Sequence, residues 1–287
     1  MDLLVRKSNG DMLLYPFRDE KFLPHKRVAT GWNFTHYFPG YWTGNGTDDM
    51  IVRKSNGDIV LYKFENGIFH GPYRVKEGWN FTHYFPGYWT GWGTDDMIVR
   101  KSNGDLVLYQ SRLLFGAPPK IVGTSWNFTH YFPGYWTGNG TDDMIVRKSN
   151  GDMLLYHFYL GKFATYEKVA TGWNFTHYFP GYWTGKGTDD MIVRTANGDM
   201  LLYPFDRKFL PCKKVGNGWN FTHYFVSKWM NEGTDDLIVR TANGDMLLYP
   251  FRDGTFYGHG GGKEVGTGWN FTHYFVGSWT TPRTLLP

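Results

Sequence analysis

Apolar positions in this chain fall in short runs separated by Gly-, Asn- and Asp-rich breaks. DLLVR at residues 2–6 and MLLYPF at residues 12–17 carry no 3.6-residue period and predict strands. Ser8-Asn9-Gly10-Asp11 lies between them. Asn-Gly between two apolar runs predicts a hairpin, with a type I′ turn requiring positive φ at both central residues. A third short strand is predicted at residues 26–30 (KRVAT). A fourth is predicted at residues 34–42 (FTHYFPGYW), where Pro39-Gly40 predicts a bulge or bend near the strand end. Runs such as MIV and MLLY do not alternate with polar residues, as expected of strands covered on both faces.

The four-segment pattern then recurs along the whole chain. WNFTHYF opens at Trp32, Trp79, Trp126, Trp173, Trp219 and Trp269, in steps of 47, 47, 47, 46 and 50 residues. A period in the forties with four short strands per unit predicts a β-propeller. The expected fold is all-β: one domain over residues 1–287, made of six tandem repeats of about 47 residues, each a four-stranded antiparallel blade. The chain begins with the second strand of a blade and ends with a first strand. Residues 271–279 are therefore expected to pair with residues 2–6, closing the ring and removing an open edge. An open solenoid would want distinct capping units, and neither end looks like one. Residues 65–76, 111–122, 159–169, 206–215 and 252–265 differ between units, which fits exposed outer edges.

Composition narrows the functional classes. Lys and Arg give a net charge of +4 but are spread around the units. A nucleic-acid footprint needs a concentrated basic face, so nucleic acid is not an expected partner. Cys212 is the only cysteine, which rules out a disulfide within the chain. No run of 18 apolar residues exists, so membrane insertion is not expected. The N-terminus shows neither an apolar signal segment nor a basic leader. The expectation is a soluble protein, cytoplasmic or released by a non-classical route.

Aromatic residues make up 20% of the chain and concentrate in the repeat. The segment YWTGNGTDDMIV resembles the FG-GAP loop of integrin-type propellers, which binds calcium through a pattern close to D-x-N-G-D-G-x-x-D-L. Here Tyr41, Thr43 and Asn45 stand in the first three ligand positions and only Asp49 remains. The Asn45 position is Trp92, Lys186 or Glu232 in other units. Calcium needs six to eight oxygens, largely carboxylate, so no metal and no cofactor are expected. Asp48 and Asp49 are expected to accept backbone N–H bonds instead. The whole unit, DLLVRKSNGDxxLY followed by GWNFTH and a Gly-rich loop, resembles two lectin groups. These are the bacterial PLL-like propeller lectins and the fungal integrin-like propeller lectins. That resemblance covers the whole chain and implies a multivalent lectin for fucose or related, including O-methylated, sugars. The PLL-like members have seven blades, against six here.

The residues themselves carry sugar-binding chemistry. A sugar has an apolar C–H face and a hydroxyl rim. Trp and Tyr offer a flat apolar surface, and Arg, Asn and Ser offer hydrogen bonds. The candidate carbohydrate-binding residues are Trp32, Asn33, Tyr41, Trp42 and Arg53, with Trp79, Tyr88, Trp89, Arg100, Trp126, Tyr135, Trp136 and Arg147 in the next units. Trp173, Tyr182, Trp183, Arg194, Trp219, Trp229, Arg240, Trp269 and Trp279 complete the set, and Ser55-Asn56 accompanies it. The expected partners are glycans, and self-association into a homo-oligomer is compatible with the reading. Where PGYWTG is complete, at Tyr41, Tyr88, Tyr135 and Tyr182, stronger sites are expected than at Lys228 and Ser278, which replace the tyrosine. Two alternatives stay open: the tryptophans as blade-to-blade core, and Arg53 as a structural partner of Asp49.

His36, His83, His130, His177, His223 and His273 share one position that is expected to pack rather than bind metal. Asn33-Phe34-Thr35 and its repeats match the N-glycosylation sequon as an accident of the repeat. Catalysis is disfavoured, because an acid and a base need different surroundings and near-identical units supply identical ones. An enzyme would require a unique site near His70 or His259. The other competing class is a protein-binding propeller scaffold.

Overall fold

In a computed structural model of the chain, which describes residues 1–111, 115–230, 233–257 and 261–281, each repeat folds as one antiparallel sheet. His36–Gly40, Asp49–Arg53, Ile59–Glu65 and Ile68–Lys76 pair in chain order. The same order recurs in the sheets that begin at His83–Gly87, His130–Gly134, His177–Gly181 and His223–Ser227. The sixth sheet joins the two ends of the chain. His273–Gly277 pairs with Asp2–Arg6, and Met12–Arg18 and Lys26–Ala29 follow outward. The closing register runs from Asp2 opposite Gly277 to Arg6 opposite His273. The fold is thus an all-β six-bladed propeller with four-stranded antiparallel blades and a closure of mixed terminal origin.

The first strands lie innermost and touch around the axis. The His36 ring stands 5.1 Å from Tyr84 of the next blade, and Tyr37 stands 5.2 Å from Phe275 of the preceding one. Successive residues on a strand point to opposite sheet faces, and here each sheet face meets a different neighbouring blade. In the strand Asp49–Arg53, Met50 and Val52 join Leu4, Leu14 and Trp279 of the preceding blade. Ile51 joins Met97, Val99 and Val107 of the following one. The described core accordingly divides into six clusters, one at each seam between blades. Non-alternating runs such as MIV are the sequence signature of this two-sided burial.

Two local expectations are corrected. The Ser8-Asn9-Gly10-Asp11 hairpin forms, but of Asn9 and Gly10 only Gly10 takes positive φ, at 85°. Gly10 N donates to Lys7 O at 3.0 Å and Lys7 N donates to Asp11 O at 2.9 Å. That is a type I turn followed by a glycine bulge rather than type I′. The glycine has a second reason to be there. A Cβ on Gly57, the equivalent in the next blade, would stand 3.1 Å from Trp79 N, and Gly57 O accepts the bond from that N–H at 2.8 Å. Pro39, for its part, makes no bulge: it sits in register opposite Met50. The innermost strand is a sheet edge, where a missing N–H costs nothing. The register shifts occur between third and fourth strands, at Ile59/Val60 and Leu61/Lys63.

The ring depends on the seam made by both ends of the chain. Removing residues 269–287 takes away Trp269, Phe275 and Trp279, and it opens both edges of the strand pairing. The truncated chain is expected to lose its cooperative thermal transition, measured by calorimetry. A truncation that melts like the full chain would show that the closure is not needed.

Candidate functional site: the clefts between blades

Strand direction sorts the candidate residues onto two opposite faces of the ring. The Asn-Gly hairpins, Trp32, Asn33, the histidines and Arg53 lie on one face, termed the hairpin face. Tyr41, Trp42 and the Gly-rich loops lie on the other, the loop face. The five-residue strands between them span roughly 13 Å at about 3.3 Å per residue. Trp32 and Trp42 therefore do not share one rim.

On the hairpin face Arg53 is a staple. Its Nε donates to Trp79 O in the loop entering the next blade at 2.6 Å, and its Nη1 donates to Thr35 Oγ1 at 3.0 Å. Arg6, Arg100, Arg147, Arg194 and Arg240 make the same bond to Trp32, Trp126, Trp173, Trp219 and Trp269. The alternative partner Asp49 is at the other end of the strand and is not what Arg53 holds. Asn33 is exposed beside this staple. Asn56 of the pair Ser55-Asn56 is engaged within its own turn, donating to Asp58 Oδ2 at 2.9 Å. The six histidines stack on a phenylalanine of their own strand, as His36 does on Phe38 at 6.0 Å. Burial first, and then the adjacent Arg53, hold His36 below the ordinary histidine range. Among the described residues no group of three or more His, Cys, Asp or Glu is arranged to hold a metal ion. His259 and Glu232 lie outside the described residues.

On the loop face two aspartates per unit hold the backbone. Asp49 is fully buried. It accepts from Thr43 N at 3.0 Å, Thr43 Oγ1 at 2.7 Å and Phe64 N at 2.9 Å. The aspartate before it latches adjacent blades: Asp95 Oδ2 accepts from Tyr41 N at 2.7 Å, while Asp95 N donates to Tyr41 O at 3.0 Å. This approach requires glycine in the facing strand, because a Cβ on Gly40 would lie 2.8 Å from Asp95 Oδ2. The same close pairs are Gly87 with Asp142, Gly134 with Asp189, Gly181 with Asp235 and Gly277 with Asp48. At the sixth seam the positions hold Ser227 and Met1, so a side chain is tolerated where no carboxylate must fit. Sequence reasoning read this glycine only as a breaker. Its pairing with an aspartate 55 residues later was the signal available.

The tyrosine of PGYWTG is a loop clamp. Tyr41 OH accepts from Gly46 N at 3.1 Å, and Tyr88, Tyr135 and Tyr182 bind Gly93, Gly140 and Gly187 in the same way. The tryptophans pair off at the seams, one near each face: Trp32 with Trp279, Trp79 with Trp42, Trp126 with Trp89. The remaining pairs are Trp173 with Trp136, Trp219 with Trp183 and Trp269 with Trp229. All twelve are buried, at 0–6% exposure. Neighbouring blades cover them on both sides of each seam, and Trp89 is wholly buried.

Two of the loop-face tryptophans, Trp229 and Trp279, line clefts. One cleft, of about 380 Å³, runs between Trp229, Phe17 and the Asp19-Glu20 hairpin, with Arg18 and Met230 beside it. A second of about 380 Å³ runs between Trp279, Phe64 and the hairpin Glu65-Asn66-Gly67, with Asn45 and Thr47 on its wall. Both occupy the same place in the repeat, where the last residues of an inner strand meet the outer hairpin of the following blade. Both also lie beside the units in which Lys228 and Ser278 replace the clamping tyrosine.

These elements define the class: a six-bladed β-propeller with repeated interblade clefts on one face. No protein-family profile and no curated protein matches the chain. Among solved structures it is similar to an Agrocybe aegerita lectin that specifically recognises non-reducing terminal N-acetylglucosamine. That match has a TM-score of 0.68 at 18% identity and covers 89% of this chain and 74% of the lectin. AofleA from Arthrobotrys oligospora is similar at a TM-score of 0.55 and 10% identity, over 88% of this chain and 79% of that one. A chain of a nidogen/laminin complex is similar at 0.58 and 9% identity, over 91% and 93%. At these identities the likeness is one of fold. It shows the propeller fold and does not single out the bacterial PLL-like group.

Two measurements follow. Trp42 is 1% exposed and its Nε1 donates to Phe38 O at 2.9 Å. Trp42→Ala is expected to cost about 3–5 kcal/mol of stability, seen as a lowered melting temperature, rather than to delete a ligand contact silently. The second concerns pH. Burial, with Asp189, Asp95 and Asp143 as like-charged neighbours, raises Asp142 to about 7, although Tyr88 N opposes the rise. A carboxyl that binds its proton more tightly folded than unfolded loses stability as pH rises through the folded value. The six exposed histidines, held below the ordinary range, act in the opposite sense as the unfolded state gains protons around pH 6.5. Asp142→Asn is therefore expected to gain melting temperature relative to the wild type as pH rises from about 4 towards 7, and to keep that margin above it. An unchanged slope in the variant would show that Asp142 does not titrate there.

Proposed function

We propose that this protein is a multivalent carbohydrate-binding propeller that holds saccharides in the interblade clefts of the loop face. The observation that carries the reading is the repeated cleft with a tryptophan edge as floor, a phenylalanine as wall and a polar hairpin as rim. It combines an apolar patch for C–H groups with hydrogen-bonding groups for hydroxyls. The similarity in fold to lectin propellers supports the same reading. In this proposal Trp229 and Trp279 line the two clefts, and Trp42, Trp89, Trp136 and Trp183 hold the seams beneath the loops. Tyr41 and its equivalents shape the loop. Arg53, Asn33 and Trp32 with their counterparts keep the opposite face in order. Binding alone, without catalysis, is the activity proposed.

Fucose and O-methylated sugars are the ligands that the resemblance of the repeat suggests. Terminal N-acetylglucosamine is the one that the Agrocybe aegerita lectin recognises. Each cleft is small and open, so single-site affinity is expected to be modest. Clustered glycans on one surface would engage several clefts of one face, and such linkage adds roughly 10²–10⁴ in avidity. The expected result is agglutination of glycan-bearing cells together with weak monosaccharide binding at more than one site per chain, measured by glycan array and calorimetric titration. An empty array, or agglutination that no sugar inhibits, would overturn the proposal and favour a protein-binding scaffold.

A further inference from the structure

The staple arginines of the hairpin face carry charge without a counter-ion. Nε and Nη1 of each are engaged by neutral acceptors, a tryptophan carbonyl and a threonine hydroxyl. Among the described residues none of Arg6, Arg53, Arg100, Arg147, Arg194 and Arg240 has a carboxylate at ion-pair distance. Arg6 and Arg147 are only 8% exposed, and a charge so far out of water is ordinarily paired. Nη2 of Arg6 donates to Asn33 Oδ1 at 3.4 Å. Nη2 of the other five makes no hydrogen bond among the described residues, yet it is not sealed from solvent.

The carboxylates of the same face are engaged elsewhere. Those of the Asn-Gly hairpins meet outer-strand cations or their own turn. Asp152 pairs with Lys168 at 3.0 Å and Asp199 with Lys214 at 2.7 Å, while Asp58 accepts from Asn56. Lys7, Lys54, Lys101 and Lys148 follow four of the arginines and add like charge. The uncancelled field reaches the inner strands. Each rim histidine stands opposite its arginine, as His36 does opposite Arg53. After burial, that arginine is what holds the histidine below its ordinary range. All six histidines are exposed, as are Asn33 and its five equivalents. We infer that the inner rim of the hairpin face binds a chain of oxyanion groups, phosphate or sulfate, with guanidinium Nη2 groups and the exposed asparagine amides as donors. A guanidinium suits one oxyanion group. Six equal positions on one ring favour a ligand that carries several, because linkage multiplies weak contacts. This site lies on the face opposite the clefts and does not rest on the saccharide reading.

The test titrates the whole chain with orthophosphate, with tripolyphosphate and with a heparin-type sulfated hexasaccharide. A chain ligand is expected to bind tighter than orthophosphate by about tenfold or more, and to weaken with added salt. Which of the two chains binds tighter tells which oxyanion the rim prefers. The triple variant Asn33→Asp, Asn80→Asp, Asn127→Asp places carboxylates beside the arginines. These residues are exposed and the exchange is isosteric, so the variant is expected to melt like the wild type and to lose the chain ligand by about tenfold or more. The charge-matched control Lys26→Gln, Lys120→Gln, Lys213→Gln removes the same net charge from the outer strands and is expected to keep the affinity. On the wild type, the ring-proton NMR signals of the six rim histidines are expected to shift on binding. No binding of either chain, equal losses in the two triple variants, or histidine signals that stay in place would overturn the inference.

Discussion

Each blade of this ring has two faces and a different neighbour on each. That constraint governs the rest of the structure. A single four-stranded sheet with MIV and MLLY strands would leave apolar side chains on both sides in water. Only a second blade on the left and a third on the right remove them. The six seam clusters are therefore mutually dependent, and the ring has no terminal unit that could be polar on its outer side. The closing blade, built from His273–Gly277 and the N-terminal strands, is the consequence. It supplies the partner that Trp229 and Trp269 need on one seam and that Trp32 needs on the other.

Packing alone would leave the blades free to slide, and polar contacts at the two faces set their register. Arg53 crosses the seam on the hairpin face by bonding to Trp79 O, and Asp95 crosses it on the loop face by accepting from Tyr41 N. Both join a side chain of one blade to backbone of its neighbour, so both tolerate variation in the outer strands. The aspartate latch brings five carboxylates toward the axis. Burial first, and then their mutual repulsion, raise Asp189 to about 6 and Asp142 to about 7. Lys228, which replaces a tyrosine, opposes the rise at Asp189 and Asp235 and rests over the Tyr182 ring at 4.9 Å. The seam that lacks the latch, at Ser227 and Met1, is the one beside which that lysine stands.

The fold was legible in the sequence because period, hairpin signals and the offset termini all constrain the same object. The site was less legible, for identifiable reasons. Trp42 beside a Gly-rich loop looked exposed, but the loop folds back through Tyr41 OH to Gly46 N and the inner-strand glycine lets the indole lie flat on the seam. Arg53 looked able to reach Asp49 because sequence distance is four, yet four residues along a strand put them at opposite faces. Tyr41 looked like a sugar platform, and it proves to be a clamp whose backbone and hydroxyl are both engaged. Aromatic content reports the amount of seam to be filled as readily as it reports ligand surface, and nothing in a repeat separates the two until the blade faces are known.

The repeat also bears on where specificity can reside. Residues shared by all units maintain the ring: the arginine staple, the aspartate that caps the strand and the paired tryptophans. None of them can distinguish one cleft from the next. The rims can, because the outer hairpins differ: Asp19-Glu20 in the closing blade, Glu65-Asn66 in the first, Tyr159-Leu160 in the third and Arg207 in the fourth. Each of those hairpins turns through a non-glycine residue at positive φ, so its backbone shape is maintained while its chemistry changes. A ring selected for six equal sites would keep one rim, as it keeps one floor. Divergence is greatest in the outer hairpins, and it also touches the Asn45 position and the residues Lys228 and Ser278 that follow two inner strands. The near-identity of the units therefore does not make their outer hairpins equivalent: one kind of packed seam lies beneath different rims.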